Sequence, residues 1–164
     1  MSDDLHPLTN DIWGLESSCF VCEPRNVAGL RIPFFHDRGR ERVVASFELD
    51  ERFSGAPTYV HGGVLLAVLD EAMAWATIAI AGKFALTEVT TSRFERPVKL
   101  HREHRVEAWI ERTDGHRIET AAEVVRTDGT VCVRAHATFA VLGANQAADA
   151  AGTAVDADLS GYVR

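Results

Sequence analysis

Alternation between apolar and other residues divides the first third of the chain into strand-like segments. Residues 30–34 and 43–49 both place an apolar side chain at every second position, which is the period of a half-buried strand. The segment Asp37-Arg38-Gly39-Arg40 between them has residues that favour a turn. We therefore predict a β-hairpin here.

A second group of alternating segments follows residue 85. Asp114-Gly115 and Asp128-Gly129 predict tight turns between them. In the last segment, Val131 to Val141 place apolar side chains on one face and more polar ones on the other, so one face is expected to be buried. The predicted strands are residues 86–96, 104–112, 117–126 and 130–142.

Residues 64–81 differ from all of these segments. They are rich in Ala and Leu and apolar on every side except at Asp70, Glu71 and Thr77, which predicts a buried helix. A membrane span is the alternative, and two adjacent acids near its middle argue against it. Two strands, one helix and four strands fit a curved antiparallel sheet wrapped around the helix, because such a helix must bury its whole circumference.

The two ends of the chain carry weaker patterns than residues 19–142, which we take as the main domain. Residues 1–18 form an N-terminal extension whose irregularly spaced apolar residues permit a short docked helix without establishing one. Residues 143–164 are rich in Ala, Gly and Asp, so we predict a flexible C-terminal tail that buries too little surface to offset its ordering entropy.

Charge and cysteine content narrow the class of protein. The net charge of −7 argues against nucleic-acid binding, which needs a surplus of basic residues. The N-terminus shows no signal sequence, and three cysteines suit a reducing compartment, so a cytoplasmic location is expected.

Several motifs with known chemistry are missing from the sequence. Cys19 and Cys22 form a lone Cys-x-x-Cys without two further ligands at regular spacing, so we predict no metal and no cofactor. A Gly-rich phosphate loop and a Gly-x-Ser-x-Gly nucleophile motif are also absent, which argues against nucleotide hydrolysis and an α/β-hydrolase.

Residues 57–73, which include His61-Gly62-Gly63 and Asp70, resemble the central-helix signature of hotdog-fold acyl-CoA thioesterases. The resemblance is to the phenylacetate-degradation and 4-hydroxybenzoyl-CoA thioesterase type, and it extends over residues 19–142. It implies an α+β hotdog fold, with a curved antiparallel sheet of about six strands around one long helix. It also implies an acyl-CoA substrate and self-association as a homodimer or homotetramer.

Gly62 and Gly63 stand at the predicted start of the helix. Without side chains, they let a ligand approach backbone N–H groups that the first turn leaves unpaired. We predict that the Gly63 N–H polarises the thioester carbonyl, assisted by the helix dipole, and that Gly62 lies against the substrate. The alternative is that His61 and both glycines only form a tight turn.

Asp70 is the predicted general base or nucleophile, and the sequence does not choose between these roles. It lies nine residues after His61, which corresponds to about 180° around the helix and roughly 13 Å along it. The two residues therefore cannot share a site within one helix, and we predict a site built across a dimer interface. Glu71 is the alternative catalytic acid and a candidate substrate contact. The competing interpretation is that Asp70 has only a structural role.

Thr87 and His61 are further candidates. The resemblance places at Thr87 a hydroxyl that supports the attacking water, although Thr is also common in strands. Several relatives have Asn or Gln six residues before the His, where this chain has Gly55. We therefore include His61 as a donor to the substrate, with fixing the turn as its alternative role.

A run of basic residues begins near the end of the first predicted strand of the second group and continues beyond it. In an acidic protein such a run is the place to meet the phosphates of coenzyme A, and Arg96 is the residue that we select. A solvated strand end is the simpler explanation. The run consists of Arg93, Arg96, Lys99, Arg102 and Arg105.

The sequence thus predicts an acyl-CoA thioesterase that acts as a homo-oligomer, without nucleic acid or membrane as a partner. Two alternatives remain open: an acyl-CoA-binding hotdog module without catalysis, and a hotdog dehydratase or hydratase that acts on acyl thioesters.

Overall fold

The computed structural model describes residues 4–10 and 17–152. Helix α1 (Gly62–Ala79) runs through its centre and begins and ends two residues before the predicted bounds. Ten of its residues are buried, among them Leu69, Ala72 and Met73. The helix is long and apolar enough to cross a membrane, but half of it is covered by the rest of the fold, as in the core helix of a globular protein.

Seven strands form one antiparallel sheet in the order β1-β2-β3-β7-β8-β9-β6. The sheet packs around α1 through β2, β3 and β6 to β9, which confirms the predicted hotdog architecture. Its strands are β1 (Leu5–Leu8), β2 (Phe34–Asp37), β3 (Arg42–Phe47), β6 (Ala85–Phe94), β7 (His104–Thr113), β8 (Arg117–Arg126) and β9 (Val131–Val141).

A two-stranded ribbon leads into α1. It consists of β4 (Ser54–Ala56) and β5 (Tyr59–Val60), which follow a single 3-10 turn at Glu51–Phe53. The ribbon is joined to the chain after β6, because the Val60 N–H donates to the Val98 carbonyl at 3.0 Å. The start of α1 is thereby held next to the end of β6.

Both ends of the described chain differ from the expectation. The N-terminal extension contributes β1, which pairs with β2 along the edge of the sheet. Helix α2 (Ala144–Ala151) occupies part of the predicted flexible tail and buries Ala147. Residues 11–16, where the docked helix was considered, and residues 153–164 of the tail lie outside the described residues.

Candidate active site

The first turn of α1 is closed by the side chain of His61. Its Nδ1 accepts a hydrogen bond from the Gly63 N–H at 2.9 Å. The backbone N–H of His61 donates to the Phe53 carbonyl at 2.8 Å. His61 is thus the N-cap of the helix, with its ring in place of the usual Ser or Asp oxygen. The Gly63 N–H predicted to hold a thioester oxygen is therefore already paired.

This cap changes which donor the helix start offers to a ligand. An imidazole that accepts at Nδ1 and is neutral carries its proton on Nε2. Because the His61 side chain is exposed, this Nε2–H is available to a carbonyl oxygen. The two interpretations of His61 are compatible, since the same ring fixes the turn and presents a donor.

Gly55 is explained by close packing of the ribbon against His61. A Cβ atom at position 55 would lie 2.9 Å from the His61 Cα, which is closer than real Cβ contacts allow, and a tight 3.2 Å from its ring. The Asn or Gln that several relatives carry at this position does not fit here. The absent polar side chain is thus replaced by a closer approach of the imidazole.

Asp70 and Thr87, predicted from separate parts of the sequence, are in contact. The Thr87 hydroxyl donates a hydrogen bond of 2.8 Å to Oδ1 of Asp70. Asp70 is half-buried on α1, and Thr87 is exposed near the start of β6. The carboxylate is therefore held in one orientation while its second oxygen is left to other partners.

A β-bulge in β6 decides which side chains face the helix. Thr87 pairs with Phe139 and Val89 pairs with Thr138, so Glu88 is an extra residue in the strand. Glu88 is fixed by Arg117, whose Nε lies 2.7 Å from its carboxylate. Because the bulge shifts the alternation by one residue, Thr90 and Ser92 lie on the same side as Thr87, next to α1.

Two depressions lie between α1 and β6, and we call them together the α1–β6 groove. Around Asp70 it has a volume of about 310 Å³, lined by Leu66, Ala67, Thr90 and Ser92. Near the helix start a second part of about 270 Å³ is lined by Gly62, Phe94, Arg96 and neighbouring residues. Sequence reasoning missed Thr90, Ser92 and Phe94, because no sequence signal reveals the bulge.

The basic run does not form a single surface. Arg96 lines the groove next to Gly62, where its Nη1 donates to the Val131 carbonyl at 3.1 Å. Arg105 is paired with Glu107 at 2.7 Å and lines a larger depression of about 620 Å³ beside β1, β2 and β3. Arg96 is therefore the member of this run that lies at the candidate site, and the larger depression lies away from it.

Glu71 does not share the environment of Asp70. Its carboxylate lies within 4.8 Å of the sulfur atoms of Cys19 and Cys22. Burial raises the pKa of Glu71 to about 7, and the charge of Cys19 adds to this rise. The hydrogen bond from Cys22 lowers the pKa of Cys19 to about 5 and raises the pKa of Cys22. Glu71, which was predicted to contact the substrate, thus faces two thiols. The structure brings together three residues that the sequence did not connect.

Comparison with known proteins supports the assignment of the fold and the family. Residues 58–133 match the thioesterase superfamily, a range that includes His61, Asp70, Thr87 and Arg96. No curated protein matches the sequence. The structure is similar to a crystal structure described as a thioesterase superfamily protein, with a TM-score of 0.72, 27% identity and 79% of this chain covered. The match spans 64% of that protein's length, slightly less than two thirds.

Two more distant structures have the same fold. The Escherichia coli PaaI protein from the phenylacetic acid degradation operon has a TM-score of 0.58 and 18% identity, over 63% of this chain and 74% of that one. A hypothetical thioesterase from Streptococcus pneumoniae, solved with coenzyme A, has a TM-score of 0.59 and 17% identity, over 62% of this chain and 79% of that one. The chain has the hotdog fold, and its residues 58–133 match the thioesterase superfamily.

Proposed function

We propose that this protein hydrolyses an acyl-CoA thioester to a free acid and coenzyme A, with Asp70 and Thr87 at the reacting carbonyl. The observation that carries the proposal is the 2.8 Å hydrogen bond from the Thr87 hydroxyl to the Asp70 carboxylate in an open groove. The coenzyme A bound to the streptococcal relative supports the substrate class.

Asp70 can act in two ways from this position. As general base, its free oxygen takes a proton from water, the water oxygen bonds to the carbonyl carbon, and the C–S bond breaks while the sulfur takes up a proton. As nucleophile, the carboxylate itself displaces the thiolate and forms a mixed anhydride, which water then cleaves. In both cases Thr87 orients the carboxylate.

The start of α1 supplies the group that polarises the thioester carbonyl. The His61 Nε2–H is the available donor, and the Gly63 N–H adds to it if the cap opens around a ligand. Asp70 lies nine residues further along the same helix, roughly 13 Å away along the axis. The donor and the carboxylate must therefore come from two chains.

The edge of the sheet offers the surface for this partner chain. Among the described residues, strand β6 pairs with β9 alone. Its residues Leu86, Val89 and Phe94 are 52%, 61% and 49% exposed. A long apolar edge strand is a template for pairing with another strand. Antiparallel pairing of two β6 strands, centred between Thr90 and Thr91, sets Phe94 beside the helix start of one chain opposite Thr87 of the partner subunit.

The remaining elements of the proposal concern the rest of the substrate and the location of the protein. Arg96 lies at the end of the groove next to Gly62 and is placed to meet a phosphate of coenzyme A. The assembly is a homodimer or a dimer of dimers, and we keep the cytoplasm as its proposed location.

One observation separates hydrolysis from a hydratase or dehydratase reaction. Those reactions pair an acid with a His that accepts a proton, whereas Asp70 is held by a hydroxyl. The His61 ring accepts the Gly63 N–H at Nδ1 and therefore offers the substrate a donor and not a base. A Thr hydroxyl holds a carboxylate or a water in place, but it does not accept a proton at neutral pH. The geometry therefore favours hydrolysis.

The proposal is tested by thiol release from a panel of acyl-CoA substrates. We expect Asp70→Asn to lower kcat by about 10²- to 10⁴-fold, which is the usual contribution of a general base. Asp149→Asn, the same chemical change on the exposed face of α2, is the matched control and should retain the wild-type rate.

Two results would contradict the assignment. Equal rates for wild type and Asp70→Asn would remove Asp70 from the chemistry. Tight acyl-CoA binding without thiol release by the wild type would instead support a binding module.

A further inference from the structure

Three side chains with metal-binding atoms meet on the side of α1 that the proposed reaction does not use. The sulfur atoms of Cys19 and Cys22 and a carboxylate oxygen of Glu71 all lie within 4.8 Å of one another. Each of the three residues is half-buried. The two cysteines come from a turn before β2, whereas Glu71 comes from the middle of the central helix.

The turn that carries the cysteines directs N–H groups at sulfur. The N–H groups of Val21 and Cys22 donate to the Cys19 sulfur at 3.3 and 3.4 Å, and the Asn10 amide contacts the Cys22 sulfur at 3.7 Å. Such donors favour a sulfur atom that carries negative charge. The backbone of this turn is therefore arranged around a thiolate at Cys19.

No Lys or Arg of the described residues is ion-paired with the carboxylate of this cluster. Across residues 4–10 and 17–152, Glu71 takes part in no ion pair with Lys or Arg. Two thiolates and a carboxylate would together carry three negative charges in a half-buried position. Buried charges of one sign are found paired with opposite charges or bound to metal ions.

We propose that Cys19, Cys22 and Glu71 bind a zinc ion, which links the turn at Cys19–Cys22 to the central helix. Thiolates select soft or borderline metals, and a site with two Cys and one carboxylate leaves the fourth tetrahedral position to water or another side chain. This proposal departs from the sequence-based expectation of no metal, because the third ligand lies 49 residues after Cys22 and only the fold brings it near.

The segment that the ion would hold is already docked onto the core. The Leu30 N–H donates to the Phe20 carbonyl at 2.7 Å and the Ile32 N–H to the Val21 carbonyl at 2.9 Å, while Val21 is buried. These bonds hold the turn against residues 30–32, just before β2, and the ion would link the turn to α1 as well. A Cys19–Cys22 disulfide would use the thiols alone and would leave Glu71 half-buried without an oppositely charged partner.

The proposal is tested on the full-length protein by its metal content and by cobalt(II) spectroscopy. After expression with zinc and purification without chelators, we expect about one zinc per chain by mass spectrometry. Cobalt(II) added to chelator-treated protein should give thiolate-to-metal charge-transfer bands and the visible bands of tetrahedral cobalt. Zinc should also raise the melting temperature of the treated protein, since it binds the folded state.

Variants separate the three ligands from the rest of the chain. Cys19→Ser/Cys22→Ser should lose the zinc and the charge-transfer bands, whereas Cys132→Ala, which changes the cysteine of β9, should retain both. Glu71→Gln should retain the charge-transfer bands but bind cobalt at least about tenfold more weakly. This third variant decides the question even if the double variant does not fold.

Several outcomes would overturn the zinc site. One such outcome is wild-type protein that contains no zinc and whose mass is lower by two hydrogen atoms. Cys19 and Cys22 would then form a disulfide, and a redox pair would replace the zinc site. Cobalt spectra that are unchanged in Glu71→Gln and in the double variant would assign the metal to another place.

Discussion

Asp70 and Glu71 are neighbours in sequence but belong to different environments. They lie about 100° apart around α1, so one points to β6 and the other to the segment before β2. Asp70 accepts a hydrogen bond from Thr87 in an open groove, whereas Glu71 is enclosed with two thiols and its pKa is raised to about 7. The role of an acid on a central helix therefore depends on which element covers its side of the helix.

The two sides also differ in how they are completed. The Glu71 side is closed by residues of the same chain, because the turn at Cys19–Cys22 folds back onto the helix. The Asp70 side is bounded by an edge strand with exposed apolar side chains. Changes at β6 should therefore affect the proposed catalysis and leave the proposed zinc site intact.

The largest expected effect comes from placing charges on the β6 edge. Leu86→Lys/Val89→Lys should give a monomer, because lysine side chains on an edge strand oppose its pairing with another strand. Activity should fall at least about 100-fold, the usual loss when a carbonyl-polarising donor is removed. Sedimentation and thiol release measure the two effects. Val27→Lys adds a charge at a position that is 79% exposed away from β6 and should change neither.

The proposed zinc site sharpens this experiment, because the charged β6 variant should still contain about one zinc per chain. A stable monomer with full activity would contradict the site built from two chains.

An intermediate effect is expected from Thr87→Val. The change removes a hydrogen bond to a carboxylate, which contributes about 1.5–3 kcal/mol, so kcat should fall about 10- to 150-fold. Thr138→Val is the matched control, because Thr138 of β9 lies on the opposite face of the sheet, away from Asp70. If both variants lose activity equally, the contact with Asp70 is not the reason.

The smallest expected effect concerns the packing of Gly55 against His61. Gly55→Ala forces His61 and the ribbon apart and should destabilise the fold by about 1–3 kcal/mol, with a lower kcat/KM. Gly62→Ala is the control, because its Cβ would meet Phe94 at an ordinary 3.6 Å. Denaturant unfolding measures both, and equal stability of the two variants would contradict the tight contact at Gly55.

Much of the fold could be predicted from the sequence. The bounds of α1 and of the last four strands agree with the predicted ranges within two residues, because their apolar periods are long and regular. Strand β1 could not be predicted in this way, since Leu5–Leu8 is short and its strand conformation depends on pairing with β2.

The candidate site was predicted in part. Asp70 and Thr87 were both named from the sequence, and the structure brings them within hydrogen-bonding distance. The occupied Gly63 N–H was not foreseen, because the cap depends on the rotamer of His61. Thr90 and Ser92 were missed because the extra residue in β6 reverses the strand alternation.

The sequence by itself determined the central helix, the four long strands after it and the acid and hydroxyl that meet between them. It determined them because hydrophobic periodicity and short motifs are local properties of the chain. Only the tertiary structure decided that Asp70 faces an open edge and Glu71 faces Cys19 and Cys22. The reason is that a residue's environment is made by segments distant in sequence, and their approach depends on packing of the whole core.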